Sequence, residues 1–124
     1  MKIRNLILPF LFLAGFAPAA CAAEPFACNL NALTRAERDR HHVLFGKLAK
    51  AVVDRRALPN GYTFRISPER LPLTELAEWV GYESRCCPFL DFGIELESKG
   101  TAVTLRLTGG KGTKEFLEEK MGLK

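Results

Sequence analysis

The apolar pattern of the chain predicts an α+β domain in which helices cover one face of a small, mainly antiparallel three-stranded sheet, in the order helix, strand, helix, strand, strand, helix. Three observations carry that expectation. A capping box opens an amphipathic segment, period-two alternation recurs in short runs, and Gly- and Pro-containing turns divide the runs with no long loop, repeat or low-complexity stretch. The 124 residues are 48% hydrophobic and 26% charged. Such a composition excludes collagenous, coiled-coil and wholly disordered classes and bounds the chain to one compact domain.

In Thr34-Arg35-Ala36-Glu37 the hydroxyl and the carboxylate can each satisfy a backbone donor at a helix start. The helix is expected from Arg35 to about Arg56, with Leu44, Leu48, Ala51 and Val52 on one arc and Phe45 at its edge. Leu58-Pro59-Asn60-Gly61 supplies turn chemistry, and Tyr62, Phe64 and Ile66 alternate with Thr63, Arg65 and Ser67 as in a half-buried strand. A second helix is expected from about Thr74 to Cys86, where Pro88 ends it. Leu90, Phe92, Ile94 and Leu96 share a face. Ser98-Lys99-Gly100 turns the chain, and Val103, Leu105 and Leu107 answer from the other arm of a hairpin. A last helix from Thr113 to Met121 presents Phe116, Leu117 and Met121.

The amino-terminus looks like an export signal. Met1 to Asn5 is basic, Leu6 to Phe16 is apolar, and Ala17 to Ala23 offers small residues for cleavage. Pro9, Gly15 and Pro18 argue against a retained membrane anchor. Pro18, three places before Cys21, argues against lipoprotein processing at that cysteine. The expected organisation is therefore a signal over 1–23, an arm over 24–33 and one domain over 34–124, in a periplasmic or secreted protein that meets the membrane only through its signal. Removing 23 residues from 124 leaves 101, and losing Lys2 and Arg4 lowers the formal charge from +4 to +2. The four cysteines become three.

An odd thiol count in an exported domain directs attention to Cys28, Cys86 and Cys87. On a helix projection Glu83 and Cys87 lie within about 20° of Leu76, whereas Trp79 and Cys86 fall about 60–80° away. A carboxylate on an apolar stripe needs a partner: Arg85, Arg106, a bound cation or a proton. His41 lies about 20° from Leu48 and faces the interior, while His42 points sideways. Three readings of the thiols stand side by side. Cys28 pairs with Cys86 or Cys87, closing a loop of roughly 60 residues that contributes about 4 kcal/mol. Alternatively, the three thiols bind a soft ion, Hg(II), Cu(I) or Zn(II), with Glu83 and His41 as further ligands or supporting groups. Finally, the cysteines pack as small hydrophobes. Adjacent cysteines lack the Cys-x-x-Cys spacing of disulfide-exchange catalysts.

The segment Glu83-Ser84-Arg85-Cys86-Cys87-Pro88-Phe89, with Leu58-Pro59-Asn60-Gly61-Tyr62 upstream and Gly112-Thr113-Lys114-Glu115-Phe116-Leu117 downstream, resembles small, largely uncharacterised bacterial proteins associated with heavy-metal or mercury resistance determinants. The likeness runs from about Cys28 to Leu123. It implies a metal or thiol role and names no activity.

Other signals are weaker. Gly109-Gly110-Lys111-Gly112-Thr113 lacks phosphate-loop spacing. Arg35, Arg38 and Arg40 alternate with Glu37 and Asp39 without an aromatic platform, which speaks against a nucleic-acid partner. A cysteine nucleophile with His41 as base and Glu83 as its orienter is the catalytic alternative. The sequence favours binding over catalysis, with a metal ion or a thiol as the partner and Cys86 and Cys87 as the reactive pair; the alternatives are a redox protein that cycles a disulfide between Cys28 and Cys86 or Cys87, and a structural or interaction module.

Overall fold

The computed structural model describes Gly15 and residues 27–124. The expected cleavage site and Cys21 lie outside these residues, as does the rest of the expected signal apart from Gly15. The domain is α+β, with helices α1 (Arg35–Ala51), α2 (Leu73–Cys86) and α3 (Thr113–Lys120) and strands β1 (Val52–Leu58), β2 (Gly61–Ile66), β3 (Leu90–Glu97) and β4 (Ala102–Gly109). The strands form one antiparallel sheet in the order β1-β2-β4-β3. A short 3-10 turn, Leu30–Ala32, precedes α1.

The sheet thus has four strands, not the three expected from sequence. The stretch from Val52 to Leu58, expected to be helix as far as about Arg56 and turn from Leu58, is instead an edge strand. Helix α1 stops at Ala51 because two β-branched residues, Val52 and Val53, follow it. The two-residue link Pro59-Asn60 then pairs Leu58 with Gly61. Asp54, Arg55 and Arg56 mimic the polar side of a helix, yet an exposed edge strand accommodates the same charges and resists further strand pairing through them. A register shift between Val52 and Asp54 bends this edge as the helix gives way to it.

The remaining elements fall where the patterns place them. Thr34 and Glu37 make the reciprocal capping box at the start of α1. Inward residues form cross-strand layers, Tyr62 with Leu107, Phe64 with Leu105 and Ile66 with Val103, and Phe92 and Ile94 of β3 continue the first two, whereas Leu96, expected on the same face, is exposed. Leu44 and Leu48 of α1, Leu76 and Trp79 of α2 and Leu117 of α3 are buried in the same cluster. Burying each such side chain contributes about 1.5–3 kcal/mol against leaving it in water.

Across the helix pair, Arg40 bridges to Glu75 and Glu78, and Lys47 to Glu75. The arm is fixed as well. Asn29 N–H donates to the carbonyl of Cys86 at 2.8 Å, Leu33 is buried, and Arg85 donates to Ala32 O at 2.8 Å. The arm therefore lies against the carboxyl end of α2, which carries the adjacent cysteines.

Candidate metal and thiol centre

Four segments meet at the end of α2. This helix supplies Glu83 and Cys86, with Cys87 as the residue that caps it. The arm brings Cys28, α1 brings His41 and α3 brings Lys120. Cys28 and Cys87 form a disulfide across a sequence separation of 59 residues. Cys86 is buried with a free thiol. Of the two pairings that the sequence leaves open, the structure contains the one with Cys87.

Glu83 is only 1% exposed although it carries a carboxylate. His41 Nε2 lies 2.6 Å from its Oε2, and Lys120 Nζ donates to its Oε1. The partners proposed from sequence, Arg85 and Arg106, are engaged elsewhere. Arg85 forms a two-pronged bridge to Glu37, and the Arg106 guanidinium lies over Gly93 on β3. Burial pushes the Glu83 carboxyl upward, but the His41 hydrogen bond and the Lys120 ammonium outweigh it and hold the group below the ordinary carboxylate range. The ionised carboxylate makes Nε2 the protonated nitrogen of His41, an assignment that rests on this hydrogen bond. The imidazole is held from the side by a stacked Trp79 ring, with centroids 6.3 Å apart.

The sulfurs sit around the same carboxylate. Cys87 Sγ lies 3.4 Å from Glu83 Oε1, and Cys86 Sγ lies 3.8 Å from Oε2 and 3.9 Å from Cys87 Sγ. Lys120 Nζ is 3.0 Å from Cys28 Sγ and 3.5 Å from Cys87 Sγ. Burial pushes the pKa of the Cys86 thiol above its usual value, and the Glu83 charge adds to that. Cys86 is therefore a neutral, enclosed thiol. Cys86 and Cys87, expected as the reactive pair, are both fully buried, while Cys28 is partly exposed.

Two groups of side chains are close enough to hold an ion, the first of them only once the Cys28–Cys87 disulfide is reduced. The ligand atoms of Cys28, Cys86 and Cys87 lie within 4.8 Å of one another, as do those of His41, Glu83 and Cys86. All five residues singled out from sequence thus converge. The sixth, Lys120, went unrecognised. Its signal was present: it lies four residues after Phe116 and three after Leu117, a cation on the apolar stripe of α3, just as Glu83 is an anion on the apolar stripe of α2.

No family model, curated protein or solved structure matches the chain.

Proposed function

We propose that this is an exported thiol protein that, when reduced, binds one soft metal ion as cargo through Cys86, Cys87 and Cys28. The observation that carries the proposal is the 3.9 Å between Cys86 Sγ and Cys87 Sγ. Two sulfurs each about 2.3 Å from one ion, at tetrahedral or trigonal angles, stand about 3.8–4.0 Å apart. Adjacent cysteines thus already have the spacing of two ligands to one ion. Opening the Cys28–Cys87 bond frees the third sulfur, on an arm that needs to shift by only a bond length or so.

Charge supports the same reading. Three thiolates around a divalent ion carry a net single negative charge beside the ionised Glu83 carboxylate, and the Lys120 ammonium, which reaches Glu83, Cys28 and Cys87, offsets part of it. Thiolate donors select Hg(II), Cu(I) or Zn(II) over hard cations. Metal uptake also expels thiol protons, and His41 and Glu83 form the hydrogen-bonded pair closest to Cys86 that can hold and orient that site. The heavy-metal association of the resembling proteins agrees with this cargo.

The test is anaerobic titration of the reduced protein with Hg(II), followed by native mass spectrometry. One ion per chain, lost in Cys86→Ser, is expected; no uptake by the fully reduced protein contradicts the proposal.

A second reading has its own observation, the Cys28–Cys87 disulfide itself. Here the protein is a redox carrier that cycles that bond. Exchange with a defined dithiol buffer, giving a reversible two-proton mass change assigned to Cys28 and Cys87, tests it.

A further inference from the structure

The two sulfurs of the disulfide are unequal. Cys87 is fully buried, whereas Cys28 is partly exposed and lines a cavity of about 270 Å³. A thiolate must approach a disulfide sulfur directly to displace the other. Only Cys28 offers that approach, so Cys87 is the sulfur that leaves. Lys120 stands beside both, 3.0 Å from Cys28 Sγ and 3.5 Å from Cys87 Sγ. An ammonium there stabilises whichever thiolate forms, and a better-stabilised leaving thiolate departs faster.

The cavity also has a chemical character. Leu30 and Phe45 give it an apolar wall, and its titratable lining other than Cys28 is basic: Arg38, His41, His42 and Lys120. Glu83 lies behind the sulfurs, 4.0 Å from Cys28 Sγ, with its charge engaged by His41 and Lys120. A small thiol that carries carboxylates matches this lining better than a cationic one.

We infer that the cavity is an exchange site for small anionic thiols and their disulfides, with Cys28 as the entry sulfur and Cys87 as the resolving sulfur. The inference rests on the redox reading. In the reducing direction a thiolate RS⁻ forms an S–S bond to Cys28 as the Cys28–Cys87 bond breaks, and the electron pair leaves on Cys87. A second RS⁻ attacks the R sulfur of the mixed disulfide, RSSR departs, and Cys28 keeps the electron pair. Two thiolates are oxidised to one disulfide, and the protein disulfide is reduced to two thiolates. The oxidising direction is the reverse, with RSSR as the oxidant.

The test reacts reduced protein with oxidised glutathione, which is anionic, and with cystamine, which is cationic. Each rate is divided by that of a free cysteine peptide, and the adduct is located by peptide mapping. In Cys87→Ser the glutathione adduct is expected on Cys28, while Cys28→Ser reacts about tenfold or more slowly. The normalised rate with oxidised glutathione should exceed that with cystamine by about tenfold. Brief reaction of wild-type protein, quenched by acid, locates the first adduct without any variant. An adduct on Cys87, or equal normalised rates for the two disulfides, overturns the inference even if the protein cycles with a dithiol. Failure to cycle with any dithiol overturns the redox reading beneath it.

Discussion

Lys120, in the last turn of α3, reaches across to the carboxylate of Glu83 on α2, so the carboxy-terminal helix supplies one of the two hydrogen-bonding partners of a carboxylate that is 1% exposed. The other is His41 of α1, and the three helices are thereby joined through one residue. Replacing it by Glu83→Gln leaves His41 and Lys120 facing a neutral amide. Breaking a buried ion pair by removing one partner costs several kcal/mol, and the partial exposure of Lys120 reduces that. Urea denaturation of the oxidised variant should show a loss of about 2 kcal/mol or more.

Acid should act through the same carboxylate. Glu83 is held below its ordinary value of 4.5, as are Glu75 and Glu78, whose main cause is the hydrogen bond from Lys47 and from Arg40, respectively. The Arg85 hydrogen bond lowers Glu37 to about 2. The unfolded chain takes up these protons first as pH falls, so the stabilisation is complete above about pH 4.5 and disappears as pH drops through the lowered folded values. Urea midpoints measured from pH 7 down to pH 2 should decline below pH 4.5, with a shallower decline in Glu83→Gln. Equal slopes for the two proteins would remove Glu83 from the acid response.

Thiol chemistry should separate the three cysteines. In the oxidised protein Cys86 is enclosed and its thiol is held neutral by burial. Native alkylation at pH 8 should leave it unmodified, and alkylation in urea should modify it, as read by peptide mapping. Reducing the Cys28–Cys87 bond should lower stability by about 4 kcal/mol, the loop-closure value for a separation near 60 residues. Paired urea curves with and without reductant measure this.

The close pairing of β2 with β4 makes its own prediction. A Cβ on Gly61 would meet the carbonyl oxygen of Leu107 and lie 2.9 Å from the Cα of Thr108. These are backbone atoms of the neighbouring strand and cannot swing away. Gly61→Ala should therefore destabilise the domain by about 1–3 kcal/mol, a value within reach of thermal or urea unfolding.

Much of this arrangement was legible in the residues. Thr34 and Glu37 announced the start of α1, and the alternation of Tyr62, Phe64 and Ile66 announced β2. The helical stripe through Leu76 placed Glu83 near the core, and the arc through Leu48 turned His41 inward. Strand β1 was hidden because Asp54, Arg55 and Arg56 satisfy the polar side of a helix and the outer edge of a sheet equally well; pairing with β2, a long-range fact, decided between them. The choice of Cys87 over Cys86 for Cys28 was hidden for a similar reason. It depends on where the arm crosses α2, which the Asn29 to Cys86 backbone hydrogen bond fixes. Lys120 escaped notice because a single lysine near a chain end ordinarily reaches solvent, and only the tertiary fold brings it to Glu83.

The proposed cargo site is tested most directly by X-ray absorption at the mercury edge, on reduced protein loaded anaerobically with one equivalent of Hg(II). The proposal predicts a first shell of three sulfurs, falling to two in Cys28→Ser, and no such shell in protein whose Cys28–Cys87 disulfide was kept intact. A shell dominated by nitrogen and oxygen, or an identical sulfur shell in the reduced and oxidised proteins, would contradict it.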